Sequence, residues 1–276
     1  MILGRRWRWV ARVGCAVLVV SYGVPLLWIL LTSFKSESEL GQSLASLNFS
    51  PTFSAYTSIG TTIVEPVVRS IEISGGTVIV ILVMSVLTGY GLTHIRGRAT
   101  KWVIGGSLGL LVLLQLVPQP TAVIPIYGVL ASWHLINSIP GLVFADSALL
   151  LPLAVLLLRP FFLNIPKELE DAALVDGASQ FVVLRRVVLP LIANGLVTVA
   201  VMMFAITWGE FIYASTFLNS TGLFPVSVVL LDQVGQLTAN WNELMALAVI
   251  TSLPLLVVFV VSRRRLREGL LVGAIR

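Results

Sequence analysis

Acidic side chains concentrate in one short polar stretch, residues 167–179, of a chain of 276 residues that is otherwise mostly apolar. The acids of this stretch flank two adjacent alanines and a glycine, and they are Glu168, Glu170, Asp171 and Asp176. An acid at the centre of a bilayer costs at least ~2.5 kcal/mol, so the stretch belongs outside a membrane. Local spacing leaves two interpretations open: an element that couples to a partner protein, or an ordinary solvated loop.

A second group of residues suited to binding chemistry lies near residue 210. Trp208, Glu210 and Tyr213 place two aromatic side chains and an acid around Gly209. Sugars are bound by aromatic faces and hydrogen-bonding acids, so these three residues are candidates for a solute pathway. The alternative is that Glu210 is a structural acid that bonds to a neighbouring helix, and the residue types leave both open.

Two further acids, Glu72 and Asp146, lie in or near apolar segments, where an acid is expected to face protein or water. Glu72 follows Arg69 by three residues, a spacing that favours an ion pair on a helix surface. Enzyme chemistry is disfavoured, because no His-Glu-x-x-His motif is present and His94 and His134 are predicted at opposite faces of the membrane. We therefore assign no catalytic residue and no metal ligand.

Composition indicates the class of protein. The chain is 57% hydrophobic and 11% charged, with a mean hydropathy of +0.97, whereas soluble domains are about 25% charged. A helix needs about 20 apolar residues to cross a hydrocarbon layer about 30 Å thick. The continuous apolar runs predict an all-α, polytopic membrane protein rather than a barrel, whose strands alternate. The six predicted transmembrane helices cover residues 10–31, 71–93, 102–117, 141–163, 191–218 and 244–261.

Basic residues predict the orientation of these helices. Six spans place both termini on one side of the membrane, and that side carries every Lys and Arg except Lys35 and Arg69. The positive-inside rule makes this side cytoplasmic. The net charge of +5 then follows from topology and predicts no nucleic-acid partner. The predicted organisation is a cytoplasmic N-terminus (1–9), a six-helix membrane domain (10–262) with a cytoplasmic loop at 164–190, and a cytoplasmic tail (263–276).

The cytoplasmic loop is predicted to form two short helices joined by a turn. Pro166 suits the first turn of a helix, and acids close behind it lie near the positive end of the helix dipole. Gly177 can adopt a positive φ and end this helix, and Ser179 can cap a second helix that runs to residue 188. Leu189 precedes Pro190, which disfavours helical geometry, so the chain is expected to turn there into the fifth span.

The order of residues in this loop is more specific than its composition. An acid followed by two alanines, a glycine after three residues, and an aliphatic-x-Leu-Pro ending resembles the EAA motif of the permease subunits of bacterial ABC importers. Asp171 stands where the family usually has Glu, and Val187 where it has Ile. Segments similar to the carbohydrate-type importers extend from about residue 69 to the end of the chain. They include 124–127, 135–138, 161–166, 208–211 and the tail at 269–276.

The resemblance implies the type I permease fold of ABC importers, in a bacterial plasma (inner) membrane, and one half of a translocation pathway for a sugar or related solute. It implies four partners: a second, homologous permease subunit, an ATPase dimer that binds ATP and Mg²⁺, an extracytoplasmic solute-binding protein or lipoprotein, and membrane lipid. This chain would bind no cofactor itself. The sequence carries no Gly-x-x-x-x-Gly-Lys-Ser/Thr phosphate loop, so a separate subunit would hydrolyse ATP.

In this family the loop docks in a cleft of the ATPase. The residues to which the resemblance assigns this coupling role are Glu170, Asp171, Ala172, Ala173, Asp176, Gly177, Ala178, Leu189 and Pro190. The tail that follows the last span would also touch the ATPase. Two other functions were weighed: an intramembrane enzyme, and a stand-alone secondary transporter or channel. The second of these predicts more acids deep in the spans and leaves the polar loop unexplained.

Overall fold

The computed structural model describes residues 5–42, 48–94, 100–235 and 240–274, and its secondary structure within these ranges is entirely helical. A π-helical turn, Leu184–Val188, joins the short helices Gln180–Val183 and Leu189–Leu191, and a 3-10 turn, Thr221–Leu223, precedes the helix Val226–Gly235. The α-helices are α1 (Arg5–Thr32), α2 (Glu37–Gln42), α3 (Ser54–Ile59), α4 (Val64–His94), α5 (Thr100–Gln115), α6 (Gln119–Ser132), α7 (Ile139–Leu163), α8 (Lys167–Val175), α9 (Gln180–Val183), α10 (Leu189–Leu191), α11 (Ala193–Trp208), α12 (Ile212–Phe217), α13 (Val226–Gly235) and α14 (Trp241–Ala274).

Four of the described helices are long and apolar enough to cross a membrane: Trp9–Thr32, Val64–His94, Ile139–Leu163 and Trp241–Gly269. Two bent pairs also qualify if each pair is counted as one span. They are Trp102–Gln115 with Gln119–Ser132, bent by 102°, and Gln180–Leu191 with Ala193–Trp208, bent by 75°. The described residues therefore contain four to six candidate spans, and the prediction of an all-α, multi-span protein is confirmed.

Two of the predicted spans differ from the helices observed. The chain bends after Gln115 and starts again as α6, because Pro118 and Pro120 take the N-cap and the first turn, where no backbone N–H is needed. Pro125 lies inside α6, so this proline does not end the helix. The predicted span at 191–218 is interrupted, since α11 ends at Trp208 and α12 begins only at Ile212.

One compact unit of the chain consists of Met1–Glu65 with Val229–Leu253. In it the Lys35 side chain is 1% exposed, and its ammonium lies 5.0 Å and 5.3 Å from the ring centroids of Trp28 and Phe49. Backbone N–H groups of Ser50 and Ser36 donate to the Glu39 carboxylate and hold its pKa below the ordinary glutamate value. These contacts organise the polar segment between α1 and α4.

The second compact unit consists of Pro66–Val228 with Pro254–Arg276. One apolar core cluster joins α4, α7, the segment 183–192 and α11, and another joins the start of α4 with α6, α7 and α12. Close packing supports the first cluster: a Cβ on Gly89 would lie 2.6 Å from the Phe162 ring, and one on Gly195 would lie 2.5 Å from the Phe161 ring. The two clusters position the two groups of residues identified from the sequence.

Candidate functional site

The polar stretch folds as a helical hairpin, here called the hairpin and comprising residues 167–191. Its first helix, α8, follows Pro166, and Glu168 and Glu170 lie in the first turn, near the positive end of the helix dipole. Gly177 has φ +86° and reverses the chain. Ser179 then caps α9, since its Oγ accepts the Val182 N–H at 3.4 Å. The predicted sequence of helix, glycine turn and Ser-capped helix is confirmed.

The end of the hairpin differs from the prediction that the chain would turn at Leu189. Leu189 is helical, with φ −58° and ψ −42°, and the chain changes direction only around Ile192. The π turn at Leu184–Val188 restarts the α-helix just before Pro190, which therefore lies in a first turn and displaces no hydrogen bond. Pro190 was expected to end the helix. The helix instead continues through Pro190, because the wider π turn lies just before it.

One face of the hairpin is bonded to α4. His94 Nε2 lies 2.8 Å from a carboxylate oxygen of Glu170, and His94 Nδ1 lies 2.8 Å from the carbonyl oxygen of Tyr90. The Tyr90 hydroxyl also donates to Gln180 Oε1 at 2.9 Å. These contacts join residues 76 and 90 positions apart in the chain, and sequence reasoning missed them because no local pattern marks them.

The opposite face of the hairpin presents apolar side chains outward. Val175 is 87% exposed and Phe181 is 68% exposed, on either side of the Gly177 turn. Asp171 and Asp176 are exposed beside them. An exposed aromatic residue and an exposed valine on a polar segment are typical of a protein contact site.

The structure divides the predicted coupling residues between these two faces. Four lie against the rest of the chain: Glu170, Ala173, Ala178 and Leu189. Five are exposed: Asp171, Ala172, Asp176, Gly177 and Pro190. The adjacent alanines thus point in different directions, so the motif combines residues that attach the hairpin to its own chain with residues available to a partner.

The second predicted group lies at a break between two helices. Trp208 ends α11 and is 7% exposed, and Tyr213 lies in α12 with no exposed surface. Glu210, in the break, accepts the backbone N–H groups of Tyr213 and Ala214 at 2.9 Å and 3.0 Å, and the Gln119 amide at 2.6 Å. The hydrogen bonds of Glu210 are those of a structural acid that caps α12.

Asp146 and Glu72 occupy different environments. Asp146 is 1% exposed in α7 and lines a cavity together with Glu210. Glu72 forms the predicted ion pair with Arg69 at 2.9 Å, and Arg69 Nε also donates to the Gly222 carbonyl at 3.0 Å. The ion pair followed from spacing along one helix, whereas the burial of Asp146 required the packing of several helices.

The tail continues α14 as a helix up to Ala274. Gly269 packs against Thr198 and the Asn194 carbonyl of α11, where a Cβ would clash with both. The Asn194 amide donates to Glu268 at 3.0 Å. The first glycine of the predicted ATPase-contacting tail therefore lies against its own chain, and the contact with an ATPase stays a prediction.

The helices and the two sites define a polytopic helical membrane protein. One face of its hairpin is bonded to the chain's own helices, and the other face is exposed. The chain belongs to the family described as binding-protein-dependent transport system inner membrane component, whose model matches residues 1–271. It is therefore an ABC importer permease, a transport component rather than a catalytic enzyme, and the resemblance read from the hairpin motif is confirmed.

Characterised relatives cover nearly the whole chain. It is 27% identical over 269 residues to the sulfoquinovosyl glycerol transport system permease protein SmoH of Agrobacterium fabrum, covering 96% of this chain and 92% of that protein. It is 29% identical over 266 residues to the trehalose transport system permease protein SugB of Mycobacterium tuberculosis, covering 94% of each.

The fold is also that of a solved transporter. A chain in the crystal structure of a bacterial ABC transporter involved in the import of the acidic polysaccharide alginate superposes with a TM-score of 0.80. The match covers 96% of this chain and 99% of that one at 20% identity, so it shows the fold alone. The predicted ABC importer permease fold is confirmed.

Proposed function

We propose that this chain is one permease subunit of an ATP-driven importer of a sugar or related solute and that it couples to its ATPase through the hairpin. The observation that carries this proposal is the exposure of Val175 and Phe181 beside Asp171 and Asp176. Apolar anchors surrounded by charged residues are the composition of a protein interface.

Attachment of the hairpin's other face explains how movement would be transmitted. Glu170 and Gln180 hold α8 and α9 to the end of α4, and Ala173 and Ala178 pack on the first core cluster. A hairpin held at several points moves with the helices that hold it. Closure of an ATPase dimer around the outward face would therefore rotate the spans as a packed group.

The rest of the assembly follows from the family. We propose a heterodimer with a second, homologous permease, an ATPase dimer that binds ATP and Mg²⁺, and an extracytoplasmic solute-binding protein. The proposed topology has six spans in a bacterial inner membrane, with each bent pair counted as one span and both termini cytoplasmic. This arrangement puts the hairpin on the cytoplasmic side, as the distribution of basic residues requires.

A carbohydrate solute is supported by the relatives, whose names specify sulfoquinovosyl glycerol and trehalose. The assignment of Trp208, Glu210 and Tyr213 to the solute pathway stays a prediction. Because Tyr213 is fully buried, contact with a solute would require the break at 209–211 to open.

Site-specific crosslinking tests the docking role, and the adjacent alanines provide a matched pair. The only cysteine of the chain, Cys15, is first replaced by serine. Ala172→Cys, at an exposed position, is expected to crosslink to a nucleotide-hydrolysing subunit in membranes. Ala173→Cys, which is partly buried against the core cluster, is expected to crosslink weakly.

Absence of any crosslink at position 172, or equal crosslinking at both positions, would contradict docking through the outward face. A second measurement checks the side of the membrane. A membrane-impermeant thiol reagent should label Ala172→Cys in inverted vesicles and not in intact cells, and the opposite result would overturn the proposed topology.

A further inference from the structure

Several polar side chains are buried without a partner near the break between α11 and α12. Both carboxylate oxygens of Asp146 lack a hydrogen-bond partner among the described residues, although the side chain is only 1% exposed. The hydroxyl of Ser74 is also buried and unpartnered there, as is that of Tyr213. Burying such a group without compensation is unfavourable by several kcal/mol in an apolar medium. So many unsatisfied oxygens in one region indicate that something binds them.

Asp146 and Ser74 line a small cavity, here called the polar cavity. It has room for about one water molecule or one small ion. Its polar lining is Ser70, Ser74, Asp146, Thr207 and Glu210, and Ile73, Leu142, Ala214 and Pro225 complete the wall.

The charge of the cavity wall is unbalanced. Asp146 and Glu210 both line it, and none of its lining residues is Lys, Arg or His. Glu210 is compensated by the N–H groups of Tyr213 and Ala214 and by Gln119, but Asp146 is not. Two carboxyl groups around one dry cavity repel each other when ionised, and a cation between them would remove that repulsion.

The helix break adds further negative potential. α11 ends at Trp208, and the C-terminal end of a helix carries a partial negative charge from its free carbonyl groups. Interrupted membrane helices in other transport proteins coordinate Na⁺ with such C-terminal ends and unwound carbonyls. The last turn of α11 contributes Thr207 to the cavity wall, so this end of the helix lies near the two acids, while the N–H groups at the start of α12 are bonded to Glu210.

We propose that the polar cavity binds one sodium ion, with the Asp146 carboxylate and the Ser74 hydroxyl as ligands and Glu210 and the end of α11 supplying negative potential. Hard oxygen donors suit a hard cation, and Mg²⁺ is disfavoured because it keeps several waters for which the cavity has no room. The bound ion would join α4, α7 and the break between α11 and α12. Sodium would therefore stabilise this arrangement of the permease independently of the hairpin.

Thermal unfolding tests the proposal on the full chain, purified with its accompanying subunits into lipid nanodiscs. Samples in choline chloride are titrated with sodium chloride at constant ionic strength, and direct binding of ²²Na⁺ is measured in parallel. A ligand that binds only the folded state raises the Tm in a saturable way. We expect this rise with Na⁺ and ²²Na⁺ binding that saturates at the same concentrations.

Variants locate the site. Asp146→Asn is expected to lower sodium affinity by at least ~10-fold, equivalent to ~1.4 kcal/mol, and Ser74→Ala to lower it by a smaller factor. Asp232→Asn is the matched control, because Asp232 is exposed in α13 and does not line the cavity. Folding of each variant is confirmed by its Tm in choline.

Any of three results would overturn the proposal. One is a Tm that responds equally to choline and sodium, and another is an unchanged sodium response in Asp146→Asn. A Tm that depends on pH and not on sodium would also overturn it, because the cavity would then hold a proton on Asp146 and a water molecule.

Discussion

The hairpin and the polar cavity both place acids near helix ends, but the hairpin exposes Asp171 and Asp176 whereas the cavity buries Asp146. On the hairpin, the polar groups that face α4 have hydrogen-bond partners, and the apolar residues Val175 and Phe181 are exposed. In the cavity, the apolar residues are packed, whereas the oxygens of Asp146 and Ser74 lack partners among the described residues. We therefore expect the hairpin to bind a protein partner and the cavity to bind a small cation.

This difference explains why the two regions were not equally visible in the sequence. A surface that fits a partner must keep a particular order of residues along a short segment, and such an order can be read directly. A cavity is built from residues of α4, α7 and the helix break, which lie far apart in the chain. Its chemistry exists only after these elements pack.

The largest effect is expected from Gly177→Pro. Gly177 has φ +86°, which proline cannot adopt, and its N–H donates to the Leu174 carbonyl at 3.0 Å. The turn of the hairpin should be lost while the spans remain, so solute-stimulated ATP hydrolysis by the assembled transporter should be abolished in a protein that still reaches the membrane. Gly177→Asn is the control and should keep most activity, because asparagine tolerates positive φ. Normal coupled turnover in Gly177→Pro would contradict the coupling role.

A smaller effect, on stability, is expected from Glu210→Ala. The change leaves two backbone N–H groups and the Gln119 amide without their acceptor, at a cost of about 2 kcal/mol in the free energy of unfolding. Glu210→Gln keeps one oxygen and should cost less. Chemical denaturation in detergent micelles measures both. If Glu210→Gln instead weakens solute binding with no loss of stability, the result would favour Glu210 as part of the solute pathway over Glu210 as a structural cap of α12.

The smallest effect is expected from Glu170→Gln, which weakens the bond between the hairpin and His94. This pair is partly exposed, with side chains 13% and 30% accessible, so it contributes at most ~1 kcal/mol. Coupled ATP hydrolysis should fall only partially, because Tyr90 and the packed alanines still hold the hairpin. Glu168→Gln, on the exposed side of the same turn, serves as control. Equal losses of coupled ATP hydrolysis in both variants would mean that the negative charge at the start of α8 matters, and not the attachment of the hairpin to α4.

Local chemistry and composition were sufficient for several features. The proportion of apolar residues identified a helical membrane protein, since only helices and closed barrels satisfy the backbone in lipid. Gly177, Ser179 and the Arg69–Glu72 pair were predicted correctly because each depends on residues no more than three positions away. The order of acid, alanines, glycine and Leu-Pro identified the family for the same reason.

Other features depended on packing between distant segments. The bend around Ile192 was misplaced because the effect of Pro190 depends on the helical turn in which it lies. The attachment of Glu170 to His94 was not predicted, and the sequence left Glu210 open between a structural role and a solute contact until packing showed that it caps α12. A side chain's role in such cases follows from which groups surround it after folding, and tertiary structure alone brings those groups together.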